Sequence, residues 1–219
     1  MVKLIVYDLD GTLIDSAKIV AEVLNQMRTE SGLQHLAIKR LVPWLSMGGE
    51  DLVANALEIP VDDIQPHLLE FRKRYSELST PDDSLYPGIK EALNDLSSLG
   101  YRLAICTNKP RRLAEKVLKE TQLHSFFAYL NAGGDLLHKK PHPENLLSCL
   151  SYFGLSSQDA MLVGDSTVDQ ALAMAAKVAF IQYLPGYDDG IELSNPQMKI
   201  DHHGELKNLI SVLKKKGSC

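Results

Sequence analysis

The apolar segment 2–7, which runs directly into Asp8-Leu9-Asp10-Gly11-Thr12, constrains this chain more than any other feature. The segment is short, rich in β-branched residues and followed at once by turn-forming residues, which predicts a buried strand. Residues two apart in an extended chain point the same way, so Asp8 and Asp10 can face one pocket. Two carboxylates this close repel each other, which implies either a shared proton or a bound cation. A hard divalent cation is the simpler of the two.

From Gly88 onward the chain alternates between helical and strand patterns. Apolar runs at 101–106, 127–131, 160–163 and 178–182 are separated by helical segments, and a last helix is expected at 205–213. This alternation predicts an α/β fold, a parallel sheet with helices on both faces. Such sheets bind ligands beyond the carboxyl ends of their strands, so the side chains that follow these runs are candidates for a site.

Between the first strand and this alternating part, the chain shows only helical patterns up to about Thr80. The polar, proline-containing stretch 79–84 has the composition of a linker, and Tyr86-Pro87-Gly88 has that of a turn. We therefore predict a core domain formed by residues 1–15 and 85–219. Residues 16–84 are predicted to form a small, inserted α-helical domain.

Polar side chains suited to a phosphate or metal site follow three of the downstream segments: Thr107, Asn108, Lys140, Asp165, Ser166 and Asp169. A hydroxyl, an amide and free backbone N–H groups before a helix form a cradle for phosphate oxygens. A lysine offers a compact positive charge, and carboxylates suit a hard cation. Taken one at a time, Thr, Asn and Asp before a helix are equally explained as capping residues.

Taken together and in order, these segments resemble the four motifs of the haloacid dehalogenase superfamily of phosphohydrolases, particularly its phosphoglycolate phosphatase branch. The string Asp-Leu-Asp-Gly-Thr-Leu-Ile-Asp-Ser resembles motif I, and Thr107-Asn108 resembles motif II. Lys140-Pro141-His142-Pro143 resembles the Lys-Pro-x-Pro form of motif III, and Gly-Asp-Ser-x-x-Asp from Gly164 resembles motif IV. The resemblance covers essentially the whole chain and implies a Rossmann-like core with a helical cap.

The resemblance also implies a Mg²⁺-dependent phosphomonoesterase, with Asp8 as the nucleophile and Asp10 as the general acid and base. Asp8, the main-chain carbonyl of Asp10 and Asp165 would hold Mg²⁺, with Asp169 and Ser166 behind them. Thr107, Asn108 and the catalytic Lys140 would hold the phosphoryl oxygens. The implied substrate is a small phosphorylated metabolite, in this branch 2-phosphoglycolate.

One segment departs from the branch that the chain resembles. Where its members commonly show Gly-Asn-Gly after Trp and an aliphatic residue, this chain has Ser46, Met47 and Gly48. By the resemblance this loop contacts the leaving group when the cap closes. A thioether in place of an amide removes a hydrogen-bonding group, so we expect weaker recognition of a small carboxylate.

Composition narrows the possible partners and location. A net charge of −5 over 219 residues argues against nucleic acid as the main partner. No apolar run is long enough for a membrane span, and the three cysteines lack metal-ligand spacing, which fits a cytoplasmic protein. We expect a monomer or homodimer, and we expect His202 and His203 on the surface.

Other functions remain compatible with the same motifs. A phosphosugar mutase, a pyrophosphatase or a nucleotidase would use the same core. A non-catalytic phosphate-binding regulator belongs to a different class, and the intact Asp10 argues against it.

Overall fold

The computed structural model describes residues 2–195 and 197–216, with residues 214–216 as backbone only. Cys219 and the carboxyl end of the predicted core domain lie outside this range. The strands are β1 (Leu4–Tyr7), β2 (Arg102–Pro110), β3 (Tyr129–Gly133), β4 (Ala160–Gly164), β5 (Ala179–Tyr183) and β6 (Lys199–Ile200). The helices are α1 (Ala17–Glu30), α2 (Ile38–Leu45), α3 (Gly49–Leu57), α4 (Gln65–Glu77), α5 (Ile89–Ser98), α6 (Arg111–Glu120), α7 (Glu144–Phe153), α8 (Thr167–Ala176) and α9 (Leu206–Lys216).

The strands form one parallel sheet in the order β3-β2-β1-β4-β5-β6, which confirms the predicted α/β fold. β1 lies in the middle with all four side chains fully buried, as its uninterrupted apolar sequence requires. The chain builds outward from β1 to β3 on one side and then restarts with β4 on the other. A sheet of this kind binds ligands where the strand order reverses, here beyond the carboxyl ends of β1 and β4.

Helices α1 to α4 lie in sequence between β1 and α5 and pack against one another. Within the described residues, no strand occurs in this segment, in agreement with the predicted helical insert. The chain leaves and returns at one place, because Ile14 forms an isolated antiparallel bridge with Leu85. We call residues 16–84 the cap, and the division into two domains stays a prediction.

Three local features go beyond what the sequence patterns predicted. β2 continues through Thr107 to Pro110, because this segment pairs with β3 across a register shift. The strand β6 has only two residues, too few to produce a detectable pattern. At the start of α1, the Ser16 side chain makes no capping hydrogen bond, and the Asp15 carboxylate accepts the Ala17 N–H instead at 3.1 Å.

The expectation of a surface position is wrong for His203, which is buried in the core. Its imidazole stacks on Tyr183 at 4.2 Å between ring centroids, and its Nε2 lies 2.9 Å from the carbonyl oxygen of Thr12. His203 thereby links the carboxyl-terminal region to the loop that follows Asp10. Within the described residues, no helix combines the length and the apolar character needed to cross a membrane.

Candidate active site

Asp8 and Asp10 lie just beyond β1, where the sequence placed them. Asp8 is buried, and its Oδ1 accepts the Leu9 N–H at 2.7 Å. The loop turns at Gly11, whose φ of 82° is in the left-handed region. A Cβ at Gly11 would overlap the Asp165 carboxylate, so only glycine allows this close approach of the two loops.

Lys140 bridges two of the aspartates from a fully buried position. Its Nζ lies 2.9 Å from Asp8 Oδ1 and 2.7 Å from Asp169 Oδ1, and its side chain is 2% exposed. The Asn108 amide holds the main chain of this lysine, accepting its N–H at 2.8 Å and donating to its carbonyl at 3.2 Å. Asn108 lines the site as predicted, but its amide is used to position Lys140.

Asp165 and Asp169 come from the end of β4 and the start of α8. The Asp165 carboxylate accepts the Thr12 hydroxyl at 2.6 Å and the Tyr187 N–H at 2.8 Å. Asp169 accepts the Ser166 hydroxyl at 2.7 Å in a capping box, while its other oxygen contacts Lys140. Ser166 therefore fixes the carboxylate that in turn orients the lysine.

Burial and mutual repulsion perturb the ionisation of these groups. Burial, together with the charge of Asp169, raises the pKa of Asp8 to about 7, against the opposing effect of Lys140. Burial also raises the pKa of Asp165, again with the repulsion of Asp169. Burial alone would lower the pKa of Lys140, but the charges of Asp169 and Asp8 outweigh it and the net shift is upward. The cluster therefore contains more negative charge than Lys140 alone can balance.

The donor set fits a hard divalent cation. One carboxylate oxygen each of Asp8, Asp165 and Asp169 lie within 4.8 Å of one another, all three buried. Oxygen ligands are those that Mg²⁺ prefers, and a cation would relieve the repulsion that raises these pKa values. Asp169 already pairs with the Lys140 ammonium, whereas Asp165 is held by two neutral donors, the Thr12 hydroxyl and the Tyr187 N–H. This difference favours Asp165 as a ligand beside Asp8.

A cavity of about 70 Å³ lies between this cluster and the cap. Its core side is lined by Asp8, Asp10, Thr107, Asn108, Lys109 and Lys140. Its cap side is mostly apolar and is lined by Val20, Leu45, Ser46, Gly48, Leu52, Phe71 and Tyr75. Ser46 and Gly48 thus face the site as predicted, whereas Met47 is 39% exposed and is absent from the lining. The position of Met47 does not support the role predicted for it, because the turn after α2 directs it to solvent.

Sequence reasoning missed three residues of this site. The Lys109 Nζ forms an ion pair with Asp10, at 2.9 and 3.1 Å from its two oxygens, and donates to the Tyr75 hydroxyl at 2.9 Å. Tyr187 supports Asp165 through its backbone and Asp15 through its hydroxyl. Lys109 had a detectable signal, since it directly follows Thr107-Asn108 at a strand end. Tyr75 lies among the apolar positions of a helical segment, which gives no indication of a polar contact, and Tyr187 had no signal.

The parallel sheet brings aspartates and a lysine together at its carboxyl edge, beneath a helical insert. This arrangement is typical of hydrolytic enzymes that use carboxylate side chains for catalysis. The haloacid dehalogenase-like hydrolase family matches residues 5–183. The chain belongs to this family, which confirms the resemblance read from its motifs.

Individual relatives agree with this assignment. The chain is 33% identical over 217 residues to a phosphoglycolate phosphatase of Nitrosococcus oceani, covering 95% of this chain and 96% of the relative. It is 31% identical to one of Aliivibrio fischeri, covering 97% and 96%. Among solved structures, a predicted phosphoglycolate phosphatase from Haemophilus somnus 129pt superposes with a TM-score of 0.86 at 28% identity, covering 95% of this chain and 98% of the other.

Proposed function

We propose that this chain is a Mg²⁺-dependent phosphomonoester hydrolase acting on a small phosphorylated metabolite, and that 2-phosphoglycolate is its substrate. The observation that carries the proposal is the bridge from Lys140 to Asp8 and Asp169 at a cavity that Asp10 also lines. The phosphoglycolate phosphatases similar to this chain support the choice of substrate. A cytoplasmic location and a monomeric or homodimeric state stay predictions.

In the proposed reaction, Asp8 attacks phosphorus and becomes an aspartyl phosphate, while Asp10 gives a proton to the departing oxygen. Asp10 then takes a proton from water, and the aspartyl phosphate is hydrolysed. Lys140 and the Thr107 hydroxyl would hold the phosphoryl oxygens, where most catalysis of phosphoryl transfer originates. When bound to Asp8, Asp165 and the Asp10 carbonyl, Mg²⁺ would supply positive charge that neutralises the phosphoryl group.

Replacement of the nucleophile tests this mechanism. We expect Asp8→Asn to abolish phosphate release, because an amide oxygen cannot form the covalent intermediate. The measurement is released phosphate from a panel of phosphorylated metabolites with Mg²⁺, and with chelator after metal removal. The exposed Asp62→Asn serves as the matched control and should keep full activity.

Full activity of purified Asp8→Asn would contradict the covalent mechanism. Undiminished activity in chelator would contradict the metal requirement. Isomerised product without net phosphate release would indicate a mutase in place of a phosphatase.

A further inference from the structure

Lys109 is a second buried lysine of the cavity, and the proposed reaction does not use it. Its side chain is 6% exposed, and its Nζ lies 2.9 and 3.1 Å from the two Asp10 oxygens. On the cap side, the same Nζ donates to the Tyr75 hydroxyl at 2.9 Å and sits 4.4 Å from the centre of that ring. Lys109 is therefore enclosed between the general acid and the cap.

The charge of Lys109 depends on a carboxylate partner. Its ammonium is buried and pairs with both oxygens of the Asp10 carboxylate. An isolated buried cation is strongly unfavourable, and a neutral tyrosine hydroxyl with its ring compensates only part of that cost. In the structure, Asp10 provides the compensating negative charge.

General-acid catalysis removes this partner. Asp10 must carry a proton before it can donate one, and a protonated carboxyl no longer balances the lysine. Among the described residues that line the cavity, the other carboxylate is Asp8, which Lys140 already contacts. The cap side of the cavity offers the uncharged Tyr75 hydroxyl and mostly apolar side chains such as Phe71. A negatively charged group of the substrate can take the place of the Asp10 carboxylate.

We propose that Lys109 is a specificity-determining residue that binds a carboxylate on the carbon next to the ester oxygen of the substrate. This inference rests on the proposed phosphatase function. Asp10 must contact the ester oxygen to protonate it, and Lys109 contacts Asp10. A group that reaches Lys109 therefore lies close to the ester oxygen, as the carboxylate of 2-phosphoglycolate does.

The proton and charge balance follows from this exchange of partners. When the substrate binds, its carboxylate pairs with Lys109, and Asp10, released from the ion pair, takes up a proton from solvent. The bond from Asp8 oxygen to phosphorus forms as the bond from phosphorus to the ester oxygen breaks, and the Asp10 proton passes to that oxygen. Asp10, again a carboxylate, competes for Lys109 with the departing hydroxy acid and favours its release. Substrates without the carboxylate leave Lys109 paired with Asp10, so Asp10 accelerates their hydrolysis less as a general acid.

Lys109→Met, a variant of similar length without charge, tests the proposal on three substrates. They are 2-phosphoglycolate, its neutral analogue 2-hydroxyethyl phosphate, and p-nitrophenyl phosphate, whose leaving group needs no proton. We expect the wild type to prefer 2-phosphoglycolate over the neutral analogue in kcat/KM. In Lys109→Met this preference should fall about 30-fold or more, as expected for losing one side of a buried charge pair. Lys109→Arg should keep most of it.

A residue that only positions Asp10 would give a different result. Its loss would lower kcat/KM equally for 2-phosphoglycolate and 2-hydroxyethyl phosphate, the two esters whose leaving groups need a proton. The ratio of their kcat/KM values would then stay unchanged, and this result would overturn the proposal. Lys207→Met is the matched control, because Lys207 pairs with Asp95 outside the cavity. Its ratio should equal that of the wild type.

The wild type alone keeps the proposal falsifiable if Lys109→Met does not fold. Hydrolysis of p-nitrophenyl phosphate and 2-hydroxyethyl phosphate without preference for 2-phosphoglycolate would overturn the role of Lys109 and leave the phosphatase function intact. Failure to release phosphate from all three substrates would overturn both.

Discussion

Four aspartates of one site differ in chemistry because their partners differ. Asp8 and Asp169 share one lysine, Asp10 has its own, and Asp165 is held by a hydroxyl and a backbone N–H. Only Asp10 combines an ion pair with partial exposure to the cavity. Environment, and not residue type, thus separates the proposed nucleophile, the proposed acid and the proposed metal ligand.

At the same scale, His203 makes the stability of the protein depend on pH. Burial, only partly opposed by its hydrogen bond to the Thr12 carbonyl, lowers the pKa of His203 to about 4, from an ordinary value of 6.5. The unfolded chain therefore binds a proton between pH 6.5 and 4 that the folded protein does not. The stability that His203 contributes is present above pH 6.5 and is lost progressively down to pH 4.

We expect the free energy of unfolding to fall by about 3 kcal/mol more for the wild type than for His203→Gln across this range. Glutamine can still donate to the Thr12 carbonyl but does not titrate. Urea unfolding at a series of pH values, without added metal, measures the free energy of unfolding of both proteins. The contributions of the other titrating groups cancel in the difference between the two. If the free energies of unfolding of the two proteins changed with pH in parallel, His203 would not titrate as proposed.

Sequence reasoning located the residues whose role follows from strand ends. Asp8, Thr107 and Asp165 each follow an apolar run, and parallel strands bring such ends together whatever the rest of the chain does. The partners of Lys109 and His203 could not be predicted in this way. Their partners, Asp10 and Thr12, lie 99 and 191 residues away in sequence, and only the packed structure shows which side chains meet.

At the level of elements, the cap is held over the site by contacts from several of its parts. Asp51 of α3 pairs with Lys139 at 2.7 Å, and the Leu78 carbonyl accepts from Lys116 of α6 at 2.6 Å. Helical periodicity predicted that these elements exist, because their apolar stripes are regular. It could not predict their contacts with the core, since these polar side chains lie outside the stripes.

Within the cap, one buried arginine joins α1 to α3. Arg28 is 4% exposed and donates to the carbonyls of Gln34 and Ala56 and to Glu58. Arg28→Met would leave these carbonyls without a donor, so we expect the free energy of unfolding to fall by about 3 kcal/mol, measured by urea unfolding.

The matched control for this substitution is Arg74→Met in the same cap. Arg74 pairs with Glu30 and Glu70 near the surface, where water screens the charges. Its replacement should therefore lower the free energy of unfolding much less. Equal losses for the two variants would contradict a special role for the buried arginine.

For the whole molecule, the sheet order explains why the acidic groups gather. β1 and β4 are neighbours at the reversal of strand order. Asp8 and Asp165 are therefore close in space although they are 157 residues apart in the sequence. The alternation of helices and strands predicted the parallel sheet. It did not predict β6, which pairs through two residues and depends on β5 for its position.

We expect this arrangement to make the apo protein less stable than a metal-bound one, because three buried carboxylates face one lysine. We expect Mg²⁺ at about 100 times its dissociation constant to stabilise the wild type by about 3 kcal/mol, which raises Tm by roughly 5–11 °C.

Asp165→Asn should raise Tm without metal, because the asparagine carries no charge. Its amide can still accept from the Tyr187 N–H and donate to the Thr12 hydroxyl. The same variant should lose most of the Mg²⁺-dependent rise, whereas Asp62→Asn should keep it. Thermal unfolding with and without Mg²⁺ measures both effects, and an undiminished rise in Asp165→Asn would exclude Asp165 as a ligand.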